Sequence, residues 1–243
     1  MNSLHEFDQH KETYRTDIDK AVSFSGQSHE FFTRVKAEYL IDILKELESD
    51  RPEAESRGLP LDVLDIGCGH GHIHPYLVQS GVQLKLRAID VAATVIEEAR
   101  QANPTVEYGS YEGDQLPYPD QSFDAAYTIA VMHHVPPTQW LAFLKEMRRV
   151  VRPGGLVAIF EHNPINPLTQ WIVRTCPIDE NAVLLSSRKL SKLVAQTKLV
   201  SIESRYILFT PLDGPRYRKF DKMIAWLPLG AQYYVSARVP QVV

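Results

Sequence analysis

The chain has 243 residues, of which 44% are hydrophobic and 23% charged, and its formal net charge is −4. This length is enough for one α/β domain with a substantial core. A nucleic-acid partner is disfavoured because basic residues are neither in excess nor gathered in a long run. No apolar stretch approaches the roughly 18 residues of a membrane-spanning helix or resembles a signal-peptide core. With two cysteines and no disulfide framework or zinc spacing, we expect a cytoplasmic protein without membrane insertion.

Residues 1–50 are predicted to form an N-terminal helical arm or cap. Residues 1–28 are polar with scattered aromatic side chains, which is typical of a short helix and an arm. From His29 to about Leu47, apolar residues recur at helical spacing and indicate one buried helix face. Residues 48–60 are charged and interrupted by proline and glycine, and they predict a solvated linker.

Leu61–Ile73 is the most informative stretch of the chain. Leu61–Ile66 is short, apolar and partly β-branched, which favours a buried parallel strand. Glycines at every second position from Gly67 to Gly71 favour a tight turn that lets a ligand approach the backbone. Pro75 suits the first turn of a following helix. Strand, glycine turn and helix together predict the nucleotide-binding corner of a doubly wound sheet.

The following hundred residues alternate between strand and helix patterns. The predicted elements are a helix at about Pro75–Ser80, a strand Leu84–Ile89 ending on Asp90, a helix Ala92–Ala102, strands Val106–Tyr108 and Phe123–Val131, a helix from Trp140 to Val151 stopped by Pro153–Gly155, and a strand Leu156–Phe160. This alternation predicts an α/β fold with a Rossmann-like, mostly parallel sheet covered by helices on both faces.

The alternation ends after Phe160. Residues 163–196 contain two Asn-Pro pairs and predict two helices, whereas Leu199–Phe209 and Gln232–Val239 predict two late strands. The connection at 210–230 is too long for a hairpin and indicates an added element. Both 163–196 and 210–230 are rich in aromatic residues and proline. We expect them to cover the core or to form lids over a binding site.

Two acidic residues flank the glycine turn. A dinucleotide fingerprint would place its third glycine at His72, which weakens the case for a pyrophosphate ligand. Asp65 precedes the turn, at the end of a strand, where a carboxylate can hold a cationic amino group. Asp90 follows the turn by about twenty residues, a spacing typical of an acid that accepts hydrogen bonds from ribose hydroxyls. Asp90 could instead cap the next helix, and it does not separate NAD from other nucleoside cofactors.

The spacing D-x-G-x-G-x-G at 65–71 resembles the first motif of class I S-adenosylmethionine (SAM) methyltransferases. A second match runs through Leu116-Pro117-Tyr118, Asp120, Ser122, Phe123 and Asp124. The resemblance covers about 60–162 strongly and 197–239 by strand pattern alone. It implies a seven-stranded sheet with an antiparallel last strand pair, SAM as cofactor and S-adenosylhomocysteine as product. It also implies one methyltransferase domain over 1–243, with 60–162 as the SAM-binding core and helical lids at 163–196 and 210–230.

The resemblance also implies which residues contact the cofactor. The methionine end is expected at Asp65, Gly67 and Gly69, the ribose at Asp90, and the adenine side at Glu112 and Gly113. The remaining expected contacts are Cys68, Val91 and Ile129. Aspartate is usual in the family where Glu112 stands, so Asp114 remains an alternative for the adenine contact.

Two pairs of residues follow the fourth and fifth strands and are the candidate catalytic residues. His133 and His134 follow the fourth strand at its carboxyl end, where open α/β sheets bind ligands, and one imidazole can accept a hydroxyl proton near neutral pH. Glu161 and His162 end the fifth strand, where they can orient a base or bind a sugar hydroxyl. Backbone hydrogen bonding and loop capping are the alternatives for both pairs.

Three histidines at alternate positions, His70, His72 and His74, lack metal-ligand spacing, so we interpret them as incidental and predict no metal.

The sequence therefore predicts O-methylation of a small-molecule acceptor, a saccharide or natural-product intermediate, with His133 or His134 as general base. The alternatives are a protein or RNA methyltransferase, a non-catalytic SAM-binding subunit and a nicotinamide oxidoreductase. The Asn-Pro-Pro-Tyr or Asp-Pro-Pro-Tyr motif typical of amide and exocyclic-amine methyltransferases is missing after the fourth strand, where the chain reads MHHVPP. The acceptor and the oligomeric state are left open.

Overall fold

The computed structural model describes residues 26–51, 58–113, 115–179 and 181–241. The helices are α1 (His29–Asp50), α2 (His74–Val78), α3 (Ala93–Ala102), α4 (Trp140–Val150), α5 (Pro167–Thr175), α6 (Ser187–Gln196) and α7 (Pro215–Met223). The strands are β1 (Leu61–Ile66), β2 (Leu84–Asp90), β3 (Glu107–Ser110), β4 (Phe123–Ile129), β5 (Val151–His162), β6 (Val200–Ile207) and β7 (Gln232–Arg238). Short 3₁₀ turns span Met132–His134 and Pro177–Asp179. The predicted helix and arm before residue 26 lie outside the described residues.

The seven strands form one sheet in the order β3-β2-β1-β4-β5-β7-β6. The first five strands of that order are parallel, and β7 runs antiparallel to both β5 and β6. This topology confirms the predicted Rossmann-like sheet and its antiparallel last pair. The strand order reverses between β1 and β4, and ligands of open α/β sheets bind at the carboxyl ends of strands beside such a switch point.

Both faces of the sheet are covered, as the apolar β1 predicts. Successive β1 residues point to opposite faces, so Leu61 and Val63 belong to one buried cluster and Leu64 and Ile66 to the other. The first cluster is completed by α1, and the second by α4 and α6. The two helices predicted in 163–196 are α5 and α6, and the element added at 210–230 is α7.

Strand β5 begins at Val151, five residues earlier than the sequence predicts, because Pro153–Gly155 lie inside it. Pairing with β4 shifts there, from Phe123 opposite Val151 to Ala125 opposite Leu156. A Cβ atom at Gly155 would lie 2.6 Å from the Asp124 carbonyl oxygen, so only glycine fits this bulge. The residues predicted to stop α4 therefore form an irregularity within a strand.

Strand β4 ends at Ile129, two residues earlier than predicted. Ala130 adopts a positive φ of 57°, and the chain then enters the 3₁₀ turn Met132–His134. His133 and His134 follow the fourth strand, as predicted, and lie on this turn. Among the described residues, no helix is long and apolar enough to cross a membrane.

Candidate active site

The glycine turn packs against the segment that follows β4. The N–H groups of Gly67 and Cys68 donate to the Ile89 carbonyl at 2.8 and 3.1 Å, which fixes the turn over the end of β2. A Cβ atom at Gly67, where φ is +77°, would lie 2.5 Å from Val131 Cγ2. At Gly69, where φ is +52°, no atom lies within 4 Å of an added Cβ. The turn is thus tightly packed on one side and open on the other.

Asp90 joins this turn to the beginning of α3. Its Oδ2 accepts a hydrogen bond from the Gly69 N–H at 2.8 Å, and its Oδ1 accepts one from the Ala92 N–H at 3.0 Å. Burial raises the pKa of the Asp90 carboxyl, while the backbone donors act in the opposite direction. Each oxygen has a second lone pair, so the carboxylate can still accept hydrogen bonds from ribose hydroxyls.

Asp65 is buried and has a histidine partner that the sequence analysis misjudged. His74 Nε2 lies 2.8 Å from Asp65 Oδ2, and His74 Nδ1 lies 2.5 Å from the Tyr108 hydroxyl. His74 is fully buried, so its interpretation as incidental is wrong. His72, two residues earlier, is exposed. The alternating positions of the histidines in the sequence do not predict that His74 is buried and His72 exposed. The difference arises because α2 begins at His74 and turns that side chain toward β1.

The residues predicted on the adenine side lie on two loops. A Cβ atom at Gly113 would lie 3.6 Å from Val91 Cγ1, so these two loops face each other. Glu112 is exposed, Ile129 is half-buried at the end of β4, and Asp114 lies outside the described residues. Burial raises the pKa of the Cys68 thiol, so Cys68 remains a neutral side chain in the turn.

The four predicted catalytic residues come together at the ends of β4 and β5. His133 Nδ1 lies 2.7 Å from Glu161 Oε2, and both side chains are about 1% exposed. The ring centroids of His133 and His134 are 4.2 Å apart, and those of His133 and His162 are 5.0 Å apart. His162 Nδ1 lies 3.3 Å from the amide nitrogen of Gln232.

Asp179, a residue that the sequence analysis missed, completes the cluster from the 3₁₀ turn that follows α5. Its Oδ1 lies 3.4 Å from His133 Nε2 and 3.5 Å from His134 Nε2. The Val183 N–H donates to the His133 carbonyl at 2.8 Å and holds the same segment in place. The sequence contained no signal for Asp179 beyond its position in a predicted lid.

The cluster holds neighbouring histidines in different charge states. Burial lowers the pKa of His133, but the charges of Glu161 and Asp179 outweigh it and raise the value to about 10. Burial and the positive charge of His133 lower the pKa of His134, and likewise that of His162, to about 4. Near neutral pH, His133 is therefore an imidazolium and the other two imidazoles are neutral.

The two carboxylates remain ionised despite their burial. Burial alone would raise both pKa values, but hydrogen bonding and the histidine charges lower the pKa of Asp179 to about 2 and also lower that of Glu161. Lys36, a half-buried residue of α1 that the sequence analysis also missed, has a pKa lowered by burial to about 8, and the charge of Glu161 opposes this shift. The cluster thus combines cationic, anionic and neutral groups.

The cluster has unused capacity for a ligand. Glu161 Oε1 is buried and has no hydrogen-bond partner among the described residues. The ligand atoms of His133, His134 and Asp179 lie within 4.8 Å of one another, close enough to share a metal ion, and this is the only such group in the described part of the chain.

Comparison with known proteins identifies a domain in the chain. Residues 64–159 match the family described as a methyltransferase domain. The fold is similar to that of a SAM-dependent methyltransferase from Thermotoga maritima, named as a possible histamine N-methyltransferase, over 98% of this chain and 99% of that chain, with a TM-score of 0.66 and 17% identity. Residues 64–159 carry a methyltransferase domain, and the chain has the fold of SAM-dependent methyltransferases. SAM is the cofactor of this family, as the glycine-turn motif implies.

Two curated relatives of the chain come from mycobacteria. The phthiotriol/phenolphthiotriol dimycocerosates methyltransferase of Mycobacterium leprae is 30% identical over 113 residues, which are 46% of this chain and 41% of that protein. The fatty-acid O-methyltransferase of Mycolicibacterium smegmatis is 31% identical over 111 residues, 45% of this chain and 40% of that protein. The chain thus matches less than half the length of these relatives.

Proposed function

We propose that the protein transfers the methyl group of SAM to a hydroxyl of a small molecule, a saccharide or natural-product intermediate. The observation that carries this proposal is the unpartnered Oε1 of Glu161, because a carboxylate oxygen buried without a donor is costly and a bound hydroxyl supplies one. An acceptor with several hydroxyls can satisfy Glu161 and present another oxygen for methylation. The relative named as a fatty-acid O-methyltransferase supports oxygen as the methylated atom.

The cofactor is proposed to lie along the glycine turn. Its methionine end contacts Gly67, Cys68 and Gly69, and the open side of Gly69 supports this placement. Asp65 binds the cationic amino group, since a carboxylate accepts up to about four hydrogen bonds and keeps capacity beyond its contact with His74.

The nucleoside part of SAM is proposed to bind beyond Asp90. Asp90 binds the ribose hydroxyls with its remaining lone pairs. Val91, Glu112, Gly113 and Ile129 surround the adenine, and the facing positions of Val91 and Gly113 support this arrangement.

Methyl transfer from a sulfonium is an in-line displacement, so the acceptor oxygen must be aligned with the methyl group. The new O–C bond forms as the C–S bond breaks, and the hydroxyl proton passes to the base. We assign this role to His134, which is neutral near pH 7, and not to His133, which is an imidazolium. Protonated His134 is then stabilised by Asp179 at 3.5 Å. His133 positions Glu161 and Asp179, and the neutral His162 is the second candidate base.

The acceptor class is tested with methyl-tritiated SAM and a cell extract separated into small molecules, lipids, polysaccharide, protein and RNA. Label in the small-molecule or polysaccharide fraction, in a methyl ether identified by NMR, is expected. Label in protein, RNA or an N-methyl product contradicts the acceptor assignment. No label in any fraction, with S-adenosylhomocysteine still bound, favours a non-catalytic subunit.

The base is tested by His134→Gln. We expect turnover to fall about 10²–10⁴-fold because the proton acceptor is lost, while the affinity for S-adenosylhomocysteine stays unchanged. The wild-type assay is repeated with a chelator, and unchanged activity is expected if the histidines act as bases and not as metal ligands. Full activity of the variant would exclude His134 as base.

A further inference from the structure

Helix α7 buries two charged side chains and exposes three large apolar ones. Its buried side carries an ion pair in which Arg218 Nη1 lies 2.8 Å from Asp221 Oδ2. Its outward side carries Tyr217, Phe220 and Met223, which are 41%, 46% and 67% exposed. A surface helix normally buries its apolar side chains and exposes its charges, so this arrangement points to a partner that covers the outward face.

The exposed apolar surface continues past α7 to the beginning of α5. Trp226 and Leu229 are 70% and 63% exposed, and Leu229 accepts a hydrogen bond from Asn166 Nδ2 at 2.8 Å. This contact places the end of the segment 217–229 beside the beginning of the segment 165–171. Eight of the thirteen exposed large hydrophobic residues in the described chain lie in these two short segments, which we call the apolar edge. Such a concentration is typical of an interaction surface.

The apolar edge and the residues that flank it contain more basic than acidic side chains, although the net charge of the chain is −4. The segments that contain and flank the edge, 163–175 and 211–229, hold five basic and two acidic residues, and Arg218 and Lys222 among the basic ones pair with Asp221 and with Asp42 of α1, which leaves Arg174, Arg216 and Lys219 as the basic residues that supply the excess charge. The two acids are Asp213, which pairs with Arg34, and Asp221, which pairs with Arg218. Both Arg216 and Lys219 are exposed on α7 beside its aromatic residues.

We propose that the apolar edge docks on the surface of an anionic lipid bilayer. Aromatic and aliphatic side chains then enter the boundary between headgroups and acyl chains, while arginine and lysine contact the anionic headgroups. A symmetric dimer through this face would bring the two positive surfaces together, which disfavours a second copy as the partner. The inference does not depend on the identity of the methyl acceptor, because docking is measured without turnover.

Docking is tested with the full chain and vesicles of phosphatidylcholine, with or without phosphatidylglycerol. We expect cosedimentation with the anionic vesicles and its loss as salt is raised, because exposed charges are screened. Tryptophan fluorescence gives a second readout, since Trp171 and Trp226 on the edge are 52% and 70% exposed and Trp140 is 1% exposed. A blue shift on vesicle binding therefore reports burial of the edge.

The variant F220S/M223S is expected to weaken vesicle binding about tenfold or more by removing two apolar contacts. Its matched control is V78S/V200S, which alters residues that are 47% and 46% exposed but lie off the edge and should retain binding. R216E/K219E is expected to lose the preference for anionic vesicles. Circular dichroism and S-adenosylhomocysteine binding confirm that each variant is folded.

Three outcomes would overturn the proposal. The first is a folded wild-type chain that binds no vesicles at low salt. The second is equal loss of binding in V78S/V200S and F220S/M223S. The third is a concentration-dependent dimer, measured by sedimentation, that F220S/M223S dissociates while vesicle binding is unaffected.

Discussion

His133 and His134 are adjacent in the chain, yet the structure gives them opposite charge states near neutral pH. His133 lies between two carboxylates, and its pKa rises to about 10. His134 meets one of those carboxylates but also the charge of His133, and burial lowers its pKa to about 4. The surroundings of each histidine, and not its residue type, therefore distinguish the positioning group His133 from the candidate base His134.

The pH dependence of kcat/KM tests this assignment at the residue scale. Because the base must be unprotonated, we expect kcat/KM to be high above the lowered pKa of His134 and to fall as the pH drops through about 4. The pH profile should show no inflection near 6.5. His133→Gln removes the positive charge and should move the acid limb upward. Asp179→Asn removes a negative charge and should move it downward.

Glu161 and His162 also face the cluster and are left unchanged in both variants. An acid limb that stays in place in His133→Gln would contradict His134 as the base.

His74 provides a second test at the residue scale, of stability. His74→Ala leaves the buried Asp65 carboxylate without its partner at 2.8 Å, and we expect the free energy of unfolding to fall by about 3–5 kcal/mol. His72→Ala, in the same turn but exposed, should change it by less than about 0.5 kcal/mol. Urea unfolding of both variants gives the comparison, and equal small effects would show that the Asp65–His74 contact contributes little.

At the scale of elements, Asn163 connects the two segments that follow the core. Its buried Nδ2 donates to the carbonyls of Pro228 and Gly230 at 3.1 and 2.8 Å, and its Oδ1 accepts from the Ile165 N–H. One side chain thus holds the beginning of 163–196 against the end of 210–230. Those segments were predicted as lids, and the position of Asp179 beside His133 supports that proposal.

Replacing Asn163 should loosen this connection. Asn163→Ala removes three hydrogen bonds from a buried position, and we expect a loss of about 1–3 kcal/mol in the free energy of unfolding. Asn166→Ala removes the N-cap of α5 and a more exposed contact with Leu229, so about 1 kcal/mol is expected. Denaturant unfolding of both variants measures the two losses in the free energy of unfolding. A larger loss in Asn166→Ala than in Asn163→Ala would contradict the role given to Asn163.

At the scale of the whole molecule, the cofactor should stabilise the fold by binding only the native state. S-adenosylhomocysteine at about 100 times its Kd should add about 2.7 kcal/mol, which raises Tm by roughly 5–11 °C for a chain of this size. NADH should give no shift. Asp90→Ala should reduce the shift because the proposed ribose contacts are lost. A shift with NADH alone would instead favour the nicotinamide oxidoreductase.

The sequence by itself predicted the sheet, and the glycine turn with its two flanking acids where the cofactor is proposed to bind. Hydrophobic runs, glycine spacing and helical periodicity are local properties, and they predicted β1 and the two acids beside the glycine turn, whereas the family resemblance implied the antiparallel last pair. Only the tertiary structure brought Asp179 from a 3₁₀ turn to the histidine pair and Lys36 from α1 into the field of Glu161. It alone revealed the burial of His74 and the apolar outer face of α7. Charge states and exposed surfaces depend on contacts between distant segments, and no local pattern encodes those contacts.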